Sequence, residues 1–180
     1  MFKKSALAVL ITCIFFLSGC GYTTHSMMAP ELRSIFVDSF SNKINIADEQ
    51  SDARMYKGYR AGMENEVTKA IIDRYLFDGN LKIGSKESAS LILKGELVDF
   101  RKEPLRYDTN DNIEEYRLII TVNLQLHNAK TGSIMWKENY FSGEATYRTT
   151  GSLARGESSA MKEAVADLAR RVVERTIEGW

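Results

Sequence analysis

The sequence predicts an α+β fold, in which a mostly antiparallel sheet of about four strands carries two helices packed on one face. Three observations favour this fold. Residues 115–128 alternate apolar and polar side chains, as a strand with one buried face does. Apolar residues recur at spacings of three and four over 52–77 and again over 161–176, which is typical of amphipathic helices. A turn at 129–132 joins two of the strands, so these two are expected to run antiparallel.

The first half of the chain predicts one strand and one helix. Residues 34–40 are rich in β-branched and aromatic side chains, which indicates a strand. The helix over 52–77 follows a polar loop, and Ser51 or Asp52 could cap it. Asp78-Gly79-Asn80 ends the helix. Its inner stripe consists of Tyr56, Tyr59, Met63, Val67, Ala70, Ile71 and Tyr75.

The middle of the chain predicts three strands. A short strand at 81–83 precedes a longer one at 89–102. The stretch 103–112 is polar and contains Pro104, so it is expected to turn in water. The alternating strand 115–128 follows, and its buried face consists of Tyr116, Leu118, Ile120, Val122, Leu124 and Leu126.

The last part predicts the second arm of a hairpin and a closing helix. Residues 133–147 return as a strand, and the parity of its apolar positions changes near Glu138 and Asn139, which indicates a β-bulge. A loop at 149–156 leads to the closing helix. The inner stripe of that helix consists of Met161, Ala164, Val165, Leu168, Val172 and Thr176.

The N-terminus predicts export and lipidation. Lys3 and Lys4 precede an apolar run at 6–16, which has the length of a signal-peptide core and is too short to span a bilayer. The run is followed by Leu17-Ser18-Gly19-Cys20, which resembles the bacterial lipobox, where a Cys receives a diacylglyceryl group and becomes the new N-terminus. The alternative is an ordinary secretory signal with an incidental Cys.

Cleavage before Cys20 divides the chain into a lipoprotein signal peptide (1–19), a lipidated tether (20–31) and a single α+β domain (32–180). No thiol then remains for a disulfide, because the other Cys lies in the removed segment. Acyl chains such as palmitate hold such a domain on a membrane, since each buried methylene contributes ~0.8 kcal/mol. Gly21 follows in place of the Asp that resembles an inner-membrane retention signal, so the predicted location is the periplasmic side of the outer membrane.

Composition and motifs exclude several classes of function. The 24 Lys and Arg balance 24 Asp and Glu, whereas a nucleic-acid binder needs a surplus of cations. Two Cys and two His are too few for a structural zinc site, so neither a metal nor another cofactor is expected. Neither His25 in the tether nor His127 on a polar strand face belongs to a recognisable catalytic arrangement. The sequence therefore predicts a protein that is not an enzyme.

Basic residues gather near two predicted loops. Arg101, Lys102 and Arg106 lie at the end of one strand, and Arg148 and Arg155 bracket the loop before the closing helix. If both loops lie at one end of the sheet, they form a basic patch for an anionic or phosphorylated ligand. The alternative is that these are ordinary solvated cations, and the acidic neighbours in sequence are Glu103, Asp108 and Glu157.

Four segments of the sequence resemble the corresponding segments of a known protein family. They are Cys20-Gly21-Tyr22 after the lipobox, Phe36-Val37-Asp38-Ser39-Phe40 at the end of the first strand, Glu115-Tyr116-Arg117-Leu118-Ile119-Ile120-Thr121-Val122-Asn123, and Leu153-Ala154-Arg155 before the last helix. Together they resemble the LptE family of outer-membrane lipoproteins, which act in lipopolysaccharide assembly. The resemblance implies a non-enzymatic plug in the lumen of the large β-barrel LptD. Such a plug aids the assembly of the barrel and contacts lipopolysaccharide on its way to the outer leaflet.

The resemblance also implies two lipopolysaccharide contacts. Arg106 matches the first by its loop, and Arg155 matches the second by its Leu-Ala-basic context. Two functions therefore stay open for the tests below. The first is a lipoprotein partner of a lipopolysaccharide-export barrel, and the second is a generic envelope lipoprotein that acts in assembly of a secretion system or surface organelle.

Overall fold

The computed structural model describes residues 31–44, 56–57 and 60–178. The predicted signal peptide, the tether up to residue 30 and Cys20 lie outside these residues. The strands are β1 (Ser34–Val37), β2 (Ser41–Asn42), β3 (Tyr56–Lys57), β4 (Lys82–Ile83), β5 (Leu91–Tyr107), β6 (Ile113–Asn128) and β7 (Ile134–Arg148). The helices are α1 (Met63–Asp78) and α2 (Glu157–Glu178), which pack side by side on one face of the sheet. The predicted class, α+β with two helices, is confirmed.

Among the described residues the sheet is mixed and has seven strands, so the prediction of about four mostly antiparallel strands needs correction. The strand order is β4-β1-β5-β6-β7, and β2 and β3 also pair with β5. The antiparallel part is confirmed for β5, β6 and β7, whereas β1 runs parallel to both β4 and β5. Because α1 lies between β1 and these partners in the chain, the crossover returns the chain in the same direction.

The strand β5 extends five residues past its predicted end, through Pro104 to Tyr107. The stretch 103–112 is therefore a turn only in its second half. Beyond Lys102, which pairs with β3, β5 has a neighbour on one side only among the described strands. An edge position of this kind tolerates proline, because no hydrogen bond is required on the open side.

The helix α1 begins at Met63, not at residue 52. Tyr56–Lys57 of the predicted helix is a strand instead, and Ser51 and Asp52, the predicted caps, lie outside the described residues. Gly62 precedes the helix in the left-handed conformation (φ 87°), where a helix cannot continue. The predicted end is confirmed: Gly79 is also left-handed, and its N–H donates to the Tyr75 carbonyl at 3.0 Å.

The core lies between the helices and the inner face of the sheet. The period-two pattern of β6 is confirmed, since all its predicted inward residues from Leu118 to Leu126 are fully buried, while Tyr116 is half-buried. The inner stripe of α2 is likewise buried over its whole length, from Met161 to Thr176. The predicted bulge is confirmed in β7, where Asn139 and Tyr140 both lie opposite a single residue of β6.

Candidate functional site

Three strands bring alternating charges together at one end of the sheet. Arg106 of β5 pairs in register with Glu115 of β6, and Glu115 pairs with Arg148 of β7. Directly opposed residues in antiparallel strands point to the same face with Cβ atoms ~5 Å apart. The two arginines therefore flank Glu115 in a row across the sheet.

The β5–β6 turn holds the first part of this row in place. The Asp108 carboxylate accepts hydrogen bonds from the backbone N–H groups of Asn110 and Asn112 at 2.7 and 2.8 Å. Hydrogen bonds from the side chain and backbone of Asn112 lower the pKa of Asp108 below its ordinary value. Asp108 thus stabilises the turn, and it forms no ion pair with a basic residue in the ranges that the structure describes.

The loop between β7 and α2 is fastened to the same end. Thr149 donates its hydroxyl to the Ile113 carbonyl and its backbone N–H to the Glu114 carbonyl, both at 2.9 Å. Gly151 (φ 83°) then reverses the chain, and the Arg155 N–H donates to the Arg148 carbonyl at 3.0 Å. The structure therefore places both predicted loops at one end of the sheet.

The three arginines at this end differ in their partners. The Arg155 guanidinium pairs with Glu163 of α2 and donates to the Thr146 carbonyl. The Arg106 Nε lies 3.5 Å from a carboxylate oxygen of Glu115. Arg148 is exposed, and no ion pair joins it to another residue in the described part of the chain.

A shallow depression of about 310 Å³ lies beside these groups. It is lined by Glu115, Thr146, Tyr147, Arg148, Leu153 and Arg155. Leu153 is 69% exposed, so the depression offers an apolar side chain next to the cations. A guanidinium presents two parallel N–H donors that match a phosphate group. The site can therefore hold an anion whose attached part is apolar.

Arg101 and Lys102 do not line the depression, and each of them pairs with carboxylates elsewhere. Arg101 pairs with Asp99 at 2.8 Å and with Glu103 at 3.0 Å. Glu103 also pairs with Arg117 of β6 at 3.2 Å. The geometry therefore supports the interpretation of Arg101 as an ordinary paired cation.

Lys102 instead connects the sheet to the start of α2. Its ammonium lies 2.6 Å from the Glu157 carboxylate and 4.3 Å from the ring centroid of Tyr116. The hydrogen bond from Lys102 lowers the pKa of Glu157 against the opposing effect of burial. Burial acts to lower the pKa of Lys102, but hydrogen bonds with Glu157 and Tyr147 outweigh it and raise that pKa. This cluster fixes α2 above the end of the sheet.

Sequence reasoning singled out the arginines but missed Glu115 as their shared neighbour. Glu115 and Arg106 are nine positions apart along the chain, and their pairing depends on the register of β5 and β6. That register is irregular on both sides of Arg106, so counting outward from the turn misplaces the partner. The one available signal was the alternation of β6, which assigns Glu115 to the face away from the core.

The histidine that the structure describes has an ordinary polar contact. His127 Nε2 lies 3.2 Å from the side-chain oxygen of Gln125. Within 31–44, 56–57 and 60–178, no group of three or more His, Cys, Asp or Glu is arranged to hold a metal ion. In the same part of the chain, neither helix is long and apolar enough to cross a membrane.

Several solved structures are similar to this chain at low sequence identity. Protein XCC0632 from Xanthomonas campestris has 8% identity and a TM-score of 0.50, with coverage of 81% of this chain and 84% of its own. A minor lipoprotein from Acinetobacter baumannii has 13% identity and a TM-score of 0.46, covering 82% and 94%. The rare lipoprotein B from Shewanella oneidensis has 16% identity and a TM-score of 0.39, covering 80% and 92%. At such identities the similarity concerns the fold alone.

Comparison with protein families is more specific. No curated protein sequence matches the chain. The family model of LptE, described as lipopolysaccharide assembly, matches residues 32–176, which is most of the chain and nearly all of the described domain. The resemblance found in the sequence is thereby confirmed. The chain belongs to the LptE family of lipopolysaccharide-assembly lipoproteins, a family of non-enzymatic proteins.

Proposed function

We propose that this protein is an outer-membrane lipoprotein, anchored through Cys20 on the periplasmic side, that partners an LptD-like β-barrel. In that complex it aids the assembly of the barrel and the delivery of lipopolysaccharide to the outer leaflet. The observation that carries the proposal is the LptE family match over residues 32–176. The lipobox ending at Cys20 supports the anchor.

The arginine end of the sheet supports the lipopolysaccharide contact. Arg106 and Arg155 lie at the same end, and each guanidinium has N–H donors for the phosphates of lipid A. Those of Arg155 are the donors that do not bind Glu163 and the Thr146 carbonyl. Exposed apolar side chains accompany them: Leu105 and Tyr107 are each 46% exposed, and Leu153 is 69% exposed. These side chains offer contact area for acyl chains next to the phosphate-binding groups. We therefore assign the lipopolysaccharide contact to this end.

Affinity purification of the lipidated protein from cell envelopes tests the partnership. We expect a large outer-membrane β-barrel to co-purify, and we expect radiolabelled palmitate to appear on the wild type but not on Cys20→Ser. A Cys20→Ser variant that still carries palmitate would refute the anchor. Recovery of a secretion-system or surface-organelle complex without any barrel would instead favour the generic envelope function.

Replacing both arginines tests the ligand contact. The variant Arg106→Ala/Arg155→Ala is expected to bind lipopolysaccharide at least about tenfold more weakly, because each charge-assisted hydrogen bond contributes ~1.5–3 kcal/mol. The measurement is equilibrium binding of purified lipopolysaccharide to the lipidated protein in detergent. Arg170→Ala is the matched control, since Arg170 is an exposed arginine of α2 whose ion pairs, within the part of the chain that the structure describes, are with Asp167 and Glu174 of its own helix. Equal affinity of the double variant and this control would remove the site assignment.

A further inference from the structure

Arg148 has side-chain donors that the protein itself does not use. It is exposed, and within the described ranges its guanidinium forms neither an ion pair nor a hydrogen bond. The Arg155 guanidinium, in contrast, binds Glu163 and the Thr146 carbonyl. A ligand that binds Arg148 therefore displaces only water, whereas the engaged donors of Arg155 must first give up a protein acceptor.

The backbone at Arg148 is held in place on both sides. Arg148 pairs in register with Glu115 of β6, and its carbonyl accepts the Arg155 N–H at 3.0 Å. The next residue, Thr149, donates its own N–H to the Glu114 carbonyl at 2.9 Å. Ligand binding at this position therefore orders one side chain and not a loop, which keeps its entropic cost small.

The depression beside Arg148 supplies an apolar neighbour. Arg148 lines it together with Leu153, whose side chain is 69% exposed. The acidic residue of the depression is Glu115, and its ion pair is with Arg106 on the other side, not with Arg148. A phosphate bound by Arg148 would thus lie next to an apolar surface, as the headgroup of a phosphorylated and acylated molecule requires.

We propose that Arg148 is the principal phosphate contact at this end of the sheet, ahead of Arg106 and Arg155. This inference rests on the proposed lipopolysaccharide contact and deepens it, because it names the residue that contributes most of the affinity. A free guanidinium donates two parallel N–H groups to two phosphate oxygens. Arg155 acts mainly through its bonds to Glu163 and the Thr146 carbonyl, which hold the loop that carries Leu153.

Single variants in the lipopolysaccharide binding assay test the inference. Arg148→Ala is expected to weaken binding of purified lipopolysaccharide to the lipidated protein in detergent about tenfold, because it removes a charge-assisted contact. Arg155→Ala is expected to weaken it about threefold, because part of its donors are used within the protein. Arg148→Lys should recover only part of the lost affinity, since an ammonium is a point charge without the planar fork. Arg170→Ala is again the control.

A second ligand tests whether the contact is with phosphate. Binding of diphosphoryl lipid A is compared with binding of lipid A whose phosphates have been removed by a phosphatase. We expect Arg148→Ala to lose affinity for the first lipid and to bind the second as tightly as the wild type does. An equal loss for both lipids would refute the phosphate contact.

The outcomes separate this inference from the proposed function. If Arg148→Ala binds lipopolysaccharide as tightly as Arg170→Ala, or more tightly than Arg155→Ala, the role of Arg148 is refuted, while a weakened Arg106→Ala/Arg155→Ala variant keeps the proposed site. If none of these variants weakens binding, the site assignment fails and the inference fails with it, and co-purification of a barrel still decides the partnership. Circular dichroism melting of each variant establishes that it is folded.

Discussion

Replacing Gly143 with alanine is expected to destabilise the protein by about 3 kcal/mol, the upper part of the range for overpacked cores. Gly143 lies in β7 where α2 crosses the strand. A Cβ at this position would lie 2.4 Å from the backbone nitrogen of Leu168 and 2.5 Å from its Cα. Since these are backbone atoms of a helix, no change of rotamer removes the clash, and α2 must move away from the sheet. The free energy of unfolding in urea measures the effect.

The control for this substitution is Gly156→Ala. No heavy atom lies within 4 Å of a Cβ added at Gly156, so the change in stability is expected to be small. Both variants add one methyl group to a glycine; the group meets helix backbone at position 143, whereas at position 156 it meets no heavy atom within 4 Å and affects only the residue before α2. If Gly143→Ala unfolds at the same urea concentration as Gly156→Ala, α2 does not pack on β7 as closely as the structure shows.

The contrast between these two glycines also shows how far a sequence of this kind can be interpreted. The alternation of β6 and the stripe of α2 are local patterns, and each follows from burial of one face of its own element. Close approach of two elements that are far apart in the chain leaves no such pattern. Neither Gly143 nor Gly156 carries a local mark that separates a packing position from an open one.

The same reasoning explains the errors in the fold. The strands β2 and β3, which the sequence did not predict, have two residues each, too few for any periodicity to show. They form because β5 supplies a long strand with which both of them pair. The start of α1 was misplaced because Tyr56 happens to continue the spacing of the helical stripe, although Tyr56–Lys57 is a strand. Only tertiary pairing distinguishes these alternatives.

For the candidate site, the sequence indicated which residues are cationic but not which of them remain available. Proximity of the two loops could be anticipated, because antiparallel neighbours return to the same end of a sheet. The partners could not, because Lys102 reaches Glu157 across 55 positions and Arg155 reaches Glu163 on the next helix. Among the basic residues at this end, Arg148 differs because it has no ion-pair partner in the described residues, and this becomes visible only once the partners of Lys102 and Arg155 are known. The availability of each cation for a ligand therefore depends on tertiary contacts.

The second large effect is expected at the buried hydroxyl pair between the two helices. Tyr75 of α1 donates its hydroxyl to Thr176 of α2 at 2.7 Å, and Thr176 donates in turn to the Val172 carbonyl at 2.8 Å. Both residues are fully buried. Burial raises the pKa of Tyr75 far above its ordinary value, so the phenol stays neutral and needs an acceptor for its proton. The two ends of this bond are therefore not equivalent.

Thr176→Val is expected to cost about 2–3 kcal/mol of stability, because it keeps the shape of the side chain and leaves the Tyr75 hydroxyl without its acceptor. Tyr75→Phe is expected to cost only about 1 kcal/mol, because Thr176 keeps its bond to the Val172 carbonyl. The double variant, measured in the same urea titration, should be more stable than Thr176→Val alone, since it removes the buried hydroxyl group of Tyr75 that the single substitution leaves without an acceptor. This order of stabilities cannot arise from loss of packing volume, because volume loss would make the double variant the least stable of the three. If the stabilities of the three variants instead decrease with the side-chain volume removed, apolar contact alone, and not the Tyr75–Thr176 hydrogen bond, determines how α1 and α2 pack.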